Sequence, residues 1–273
     1  MAIPLEDFSE DIVSKAQRGL GIDTGTLAER SGLERSDIHS LRNGSSDVEL
    51  IRQVAPELGL DTNALIASAE KSWFPEQPNI EGLHIFHTNF GEMIVNAYLV
   101  EVPDTKKAIL FDTGIDSSAI LELLEKRGLE LEAICLTHSH RDHVADLQNV
   151  RTTNDNPPAY IHAKELVSGS SAIEEGWTLQ TSGLKITALQ TSGHSVAGLT
   201  YVIDGMNTPI AVVGDAMFAG SMGGGMVSFS EALKNNREKI LTLSDQTVLC
   251  PGHGPLTTVG QEKVHNPFFP EFK

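Results

Sequence analysis

The chain has 273 residues, 40% of them hydrophobic and 21% charged, a composition that excludes low-complexity and collagen-like chains and leaves ample core for one large domain or two smaller ones. Asp and Glu outnumber Lys and Arg by 37 to 20, and the resulting charge of −17 disfavours nucleic acid and anionic membranes as partners. No apolar run approaches the roughly 18 residues that span a bilayer.

The first residues, MAIPLEDFSEDIV, are acidic and lack the basic and apolar regions of a secretory signal. Two cysteines, Cys135 and Cys250, cannot build a disulfide framework. The expectation is a reduced, cytoplasmic location. Residues 1–71 then show helical periodicity. The stretch from Thr26 to Gly44 reads as helix, tight turn, helix. Gly32 suits the turn, and Leu27, Ala28, Leu33, Ile38 and Leu41 sit where two crossed helices bury side chains. In the next helix Ile51, Val54, Ala55 and Leu58 follow the i, i+3, i+4, i+7 spacing. On these residues, about 10–70 of the chain resemble a helix-turn-helix domain of the Cro/repressor type. Yet residues 1–71 carry 13 acids and 7 bases, and the presumptive recognition helix sets Glu34 and Asp37 beside Arg35 and Arg42. A DNA reader is normally basic. The charge therefore favours a bundle that packs, or that joins copies into a homo-oligomer, over one that contacts DNA.

Residues 72–79, with two prolines, read as a linker. Beyond it, short apolar runs between turns predict strands at Leu83–Phe86, Ile94–Val102, Ala108–Phe111, Ala133–Leu136, Ala159–His162, Leu184–Leu189, Leu199–Ile203 and Ile210–Val213. Helical patterns at Ser117–Lys126 and Ser230–Leu243 fall between them. The alternation predicts an α/β domain over residues 80–273, with helices outside one or two sheets.

The chemistry concentrates at Thr137-His138-Ser139-His140-Arg141-Asp142-His143, directly after an apolar run. Alternate residues of an extended loop project similarly, so His138 and His140 can chelate one ion while Asp142 and His143 turn toward another. Nitrogen and oxygen donors of this kind suit zinc and similar cations. Other histidines read as structural (His84, His87, His162) or as surface residues (His39, His265). The two cysteines lie in apolar runs, where packing is the expected role. Arg141 is suited either to an anionic substrate or to a neighbouring loop.

The motif resembles that of the metallo-β-lactamase superfamily, and later landmarks recur in that family's order: Phe111-Asp-Thr-Gly114, Gly193-His194, Gly214-Asp215 and Pro251-Gly-His-Gly254. The resemblance covers residues 80–273. It implies an αββα sandwich preceded by the small helical domain. It also implies two divalent metal ions, with His138, His140 and His194 holding the first. Asp142, His143 and His253 hold the second, and Asp215 bridges them. Zinc is the expected metal, with iron and manganese also compatible. Asp112 is expected to anchor ligands or loop backbone, or to stabilise its own turn.

Such a centre implies hydrolysis by a metal-bridging hydroxide, with Asp142 and Asp215 as the catalytic carboxylates. The stretches Gly214–Ser221 and Pro251–Glu262, ending at Asn266-Pro-Phe268, resemble the glyoxalase II branch. That branch implies a small-molecule thioester substrate such as S-lactoylglutathione. Two departures stand out: Met222-Gly-Gly-Gly-Met226 where the branch usually has Gly-Arg, and Gly198 where a second histidine is common. The alternatives are a lactonase or other small-ester hydrolase, a mononuclear-iron persulfide dioxygenase, and a regulator responding to a metal or metabolite.

Overall fold

The computed structural model describes residues 3–273. Helices α1 (Ser9–Gly19), α2 (Thr24–Ser31), α3 (Arg35–Arg42), α4 (Val48–Glu57) and α5 (Thr62–Ala69) come first. Several starts are set by a carboxylate cap: Asp23 accepts from Gly25 N at 2.8 Å, and Asp61 from Ala64 N at 2.8 Å. Gly32 ends α2 at φ 68°, a left-handed conformation that favours glycine, so the tight turn between α2 and α3 falls where the sequence places it. Residues 72–79 take no regular structure.

Two six-stranded sheets follow. The first runs β1 (Leu83–Phe90), β2 (Met93–Glu101), β3 (Lys107–Phe111), β4 (Glu130–Cys135), β5 (Ala159–His162), β6 (Ser171–Ile173), in that spatial order. Pairing is antiparallel from β1 to β3 and parallel from β3 to β6. Its crossovers carry α6 (Ser118–Arg127), the short α7 (Arg141–Val144) and α8 (Leu147–Thr153). The second sheet contains β7 (Thr178–Gln180), β8 (Lys185–Gln190), β9 (Leu199–Asp204), β10 (Ile210–Gly214), β11 (Val248–Pro251) and β12 (Thr257–Thr258). Helix α9 (Phe229–Asn235) precedes β11, and α10 (Val259–His265) follows β12.

Side chains two apart on a strand share a face, and the apolar clusters obey this rule. Tyr98, Val100, Ile109 and Phe111 of the first sheet meet Ile186, Tyr201, Ile210 and Val212 of the second. Both cysteines lie in this inner layer, fully buried. The alternate residues Leu99, Leu110 and Ile134 face out against Ile120 and Leu124 of α6 and Leu147 and Val150 of α8. On the other side, Ala211, Val213 and Leu249 share one cluster with Phe229 of α9, Phe268, and Ile12, Ile38, Ile51 and Leu65 of the opening helices. The result is a helix–sheet–sheet–helix sandwich with the N-terminal helices on its second outer layer.

Eight strands fall where the apolar runs predict them, and the buried β11 is a further apolar run outside those expected. The short edge strands β6, β7 and β12 carry little apolar signal, because pairing rather than burial defines them. The helix expected over Ser230–Leu243 is interrupted. Regular α-helix ends at Asn235 and a π-type turn spans Asn236–Ile240, where Asn236 Nδ2 donates to Ala216 O at 2.8 Å. No helix among the described residues is long and apolar enough to cross a membrane.

Candidate metal centre

The seven residues singled out by the sequence meet at one rim of the sandwich, five on loops just beyond strand ends and two in a short helix. His138 and His140 follow β4, while Asp142 and His143 lie in α7. His194, Asp215 and His253 follow β8, β10 and β11 respectively. One group of close-set donor atoms comprises His138, His140, His194 and Asp215; a second comprises Asp142, His143 and His253.

Hydrogen bonds fix which ring nitrogen points inward. His143 Nδ1 donates to Asp112 Oδ2 at 2.8 Å, His194 Nδ1 to Gly224 O at 3.0 Å, and His253 Nδ1 to Ile94 O at 3.0 Å. Thr137 spends its one hydroxyl proton on Asp112 Oδ2 at 2.7 Å, so it accepts from His138 Nδ1 at 3.0 Å. Each of these rings is thereby left with Nε2 facing the centre, the arrangement in which a neutral imidazole ligates a metal. His140, more exposed, turns Nδ1 inward instead. That atom lies 3.0 Å from His138 Nε2 and 3.1 Å from His194 Nε2. Nitrogens bound tetrahedrally at 2.0–2.1 Å are about 3.3 Å apart. The triplet is already near that spacing.

The Asp215 carboxylate reaches both groups. Oδ2 is 3.3 Å from His194 Nε2 and 3.5 Å from His253 Nε2, while Oδ1 is 3.4 Å from His143 Nε2. Asp142 Oδ2 lies 3.4 Å from His253 Nε2. Asp215 Oδ1 and His143 Nε2 are buried without a hydrogen-bond partner. Such atoms cost about 1–3 kcal/mol each when left unpaired. A divalent cation would satisfy both at once. The donor set therefore fits the group that the fold implies.

The electrostatics agree. Burial disfavours charge on His143, but Asp215 and Asp112 outweigh it and hold the ring well above the usual histidine range. For His253 burial is likewise outweighed, by Asp215 and Asp142, and its value is pushed up to about 10. Burial opposes ionisation of Asp215, yet His143 and His253 hold its carboxyl well below the usual range. Burial among other imidazoles pushes His138 well down. In the metal-free chain the second group thus retains protons that a cation must displace.

Positioning residues surround the donors. Asp112, at φ 55°, also accepts from Thr137 N at 2.7 Å, so it orients two loops and its own turn together. Glu165 accepts from Ser139 N and Ala197 N, both at 2.7 Å, tying the loop of His138 and His140 to that of His194. Asn96 Nδ2 donates to Pro251 O at 2.9 Å and Gly254 O at 2.8 Å, and Tyr98 donates to Pro251 O at 2.6 Å. These bonds clamp the turn that carries His253. Gly252 allows it a close approach: a Cβ there would fall 2.1 Å from Asp215 Oδ1. Glu165, Asn96 and Tyr98 escaped sequence reasoning because their partners are distant in the chain.

The remaining histidines lie apart from the centre. His84 and His162 reach Glu101 and Glu174, His87 reaches Asn96, and His39 is exposed. His265 is half-buried and stacks on Trp73 with ring centroids 4.6 Å apart, rather than standing free on the surface. Arg141 lines the cavity over the centre and has no hydrogen-bond or ion-pair partner among the described residues.

Residues 90–253 match the metallo-beta-lactamase superfamily, more than half of the chain, and the chain belongs to that family. A probable metallo-hydrolase of Streptococcus pyogenes serotype M6 is 32% identical over 63% of this chain and 84% of its own. The probable metallo-hydrolase YqgX of Bacillus subtilis is 30% identical over 67% of this chain and 95% of its own. The hydroxyacylglutathione hydrolase GloC of Haemophilus influenzae is 26% identical over 60% of this chain and 88% of its own. Among solved structures, the BLEG-1 B3 metallo-beta-lactamase superposes with a TM-score of 0.59 at 30% identity, covering 68% of this chain and 99% of the other. The protein TTHA1623, in a di-iron-bound form, gives 0.56 at 28% identity, covering 67% and 99%. The chain is a metallo-hydrolase of this superfamily, built to hold divalent metal.

Proposed function

We propose that the chain is a dinuclear hydrolase of thioesters, with S-lactoylglutathione as the representative substrate. The observation that carries this reading is Asp215, whose two carboxylate oxygens face imidazole nitrogens of both donor groups. In this reading His138, His140 and His194 would hold one cation, Asp142, His143 and His253 would hold another, and Asp215 would reach both. Two divalent ions, zinc first and iron or manganese as alternatives, would supply a Lewis acid for the carbonyl oxygen and would lower the pKa of coordinated water to near 7. The chain's part is to set the donors in place and to offset cation repulsion with the Asp142 and Asp215 carboxylates. A thiolate, whose conjugate acid has a pKa near 8.5, leaves without help from a general acid.

The name of GloC, a hydroxyacylglutathione hydrolase, supports the choice of a thioester. In the same reading the enzyme works in the cytoplasm, and the N-terminal helices pack rather than read DNA, as their excess of acids favours. Elemental analysis of metal-replete protein, with a panel of thioester, lactone and persulfide substrates, tests the proposal. Two ions per chain with thioester turnover is the expected result. At most one ion overturns the dinuclear assignment. Turnover of lactone alone, or oxygen uptake with persulfide, overturns the substrate class.

A further inference from the structure

The cavity over the metal centre, about 510 Å³, is walled in part by residues that lie outside the superfamily match. Glu6, Asp7 and Lys15 are these residues, and they line it together with Arg141, His140, His194 and Asp215 of the matched region. A second cavity of about 240 Å³ adjoins it, sharing Lys15 and Gly224 and adding Arg18 of α1. The two meet across the Gly223–Gly225 loop, the segment that departs from the glyoxalase II pattern.

Lys15 is already committed. It pairs with Asp7, donates to Met222 O at 2.9 Å, and lies 5.1 Å over the Phe218 ring. Asp7 in turn accepts from Ser221 Oγ at 2.6 Å. These contacts dock α1 on the loop that follows Asp215. Arg18, one helical turn beyond Lys15, and Arg141, beside His140, are different: both are exposed, and neither guanidinium has a hydrogen-bond or ion-pair partner among the described residues. One uncompensated guanidinium on each of two adjoining cavities, on a chain of charge −17, makes two local anion sites that meet at Lys15 and Gly224. The planar guanidinium matches a carboxylate in a paired hydrogen-bond geometry. Glu6 also lines the cavity, but burial pushes its carboxyl up to about 7, so near neutral pH it opposes an anion only in part.

We propose that Arg141 and Arg18 each hold a carboxylate on the leaving thiol of the substrate, one at each cavity, which makes helix α1 part of the substrate site. The identity of the scissile bond rests on the thioester reading above; the anion sites do not.

The test uses the full chain loaded with zinc and two thiols that differ in charge, glutathione and N-acetylcysteamine. Their dissociation constants are measured by calorimetry. Wild type should prefer glutathione by about tenfold or more, since hydrogen bonds to charged groups are among the stronger ones. Arg18→Gln and Arg141→Gln should each lower that preference by about three- to tenfold, and the double variant should erase it. KM for S-lactoylglutathione should rise in step while kcat moves little. Both side chains are exposed, and circular dichroism on the same preparations checks the fold. Equal binding of the two thiols by wild type, or a preference that survives in the double variant, overturns the proposal. The expected binding pattern without hydrolysis of any thioester would leave the anion sites standing and refute the thioesterase reading instead.

Discussion

The two sheets bury their outer faces by different means. Leu99, Leu110 and Ile134 of the first are covered by α6 and α8, helices that arise within its own crossovers. Ala211, Val213 and Leu249 of the second are covered by α9 and α10 and by helices from the first 70 residues. An internal crossover helix is an obligatory part of a parallel strand connection. An N-terminal cover is an addition, and YqgX aligns over 95% of its own length while matching only 67% of this chain. The contrast teaches that a layer outside the matched region is here joined both to the core and to the wall of the metal-site cavity.

Removing residues 1–71 is the severest challenge to that view. It uncovers apolar surface on the second sheet worth roughly 25 cal/mol per Å². The truncated chain should aggregate or bind hydrophobic dyes. A soluble, monomeric 72–273 fragment with native circular dichroism would show that the cover is dispensable.

Asp215→Ala separates the rim from the layers beneath it. Hydrolysis should fall by about a hundredfold or more, because misplacing a reacting group by about 1 Å already costs that much. The apolar residues of β10 are untouched, so the fold should persist. Near wild-type turnover with full metal content would exclude Asp215 as the bridge. A matched pair of core truncations sharpens the comparison between layers. Leu65 of α5 and Leu110 of β3 are both fully buried, and either change to Ala should cost about 2–5 kcal/mol. If the helical cover is integral, Leu65→Ala lowers one cooperative denaturation transition; two separated transitions would show the layers unfolding independently.

The smallest expected effect depends on pH. Glu262 is fully buried in α10, where it accepts from Gly220 N at 3.1 Å, Thr257 Oγ1 at 2.7 Å and Asn266 Nδ2 at 2.8 Å. Burial outweighs these donors and pushes its carboxyl up from 4.5 to about 7. Between those values the unfolded chain releases the proton while the folded chain keeps it. Stability from this group is therefore present below pH 4.5 and falls as pH rises to 7. Denaturation of wild type and Glu262→Gln across that window should show wild type losing up to about 3 kcal/mol relative to the variant as pH rises. A constant difference would refute the assignment.

Much of this protein was readable in one dimension. The central strands are short unbroken apolar runs buried on both faces, and Gly32 punctuates two helices whose buried positions follow the helical period. The donor residues were legible because chelating side chains of the right type cluster at strand ends, as in His138–His143. What the sequence could not determine were the partners of polar groups. Asp112 could be read equally as a turn residue or an anchor, and only the packed loops show it bonded to Thr137 and His143 at once. Glu165 gave no signal, although it joins Ser139 to Ala197. Nor did the order of residues reveal that Lys15 would close on Met222, 207 positions away. Local pattern dictates which residues are buried. The pairing of hydrogen bonds and charges between distant segments is decided only when both sheets and the helical layer pack, because those bonds have no counterpart in the periodicity of any one of them.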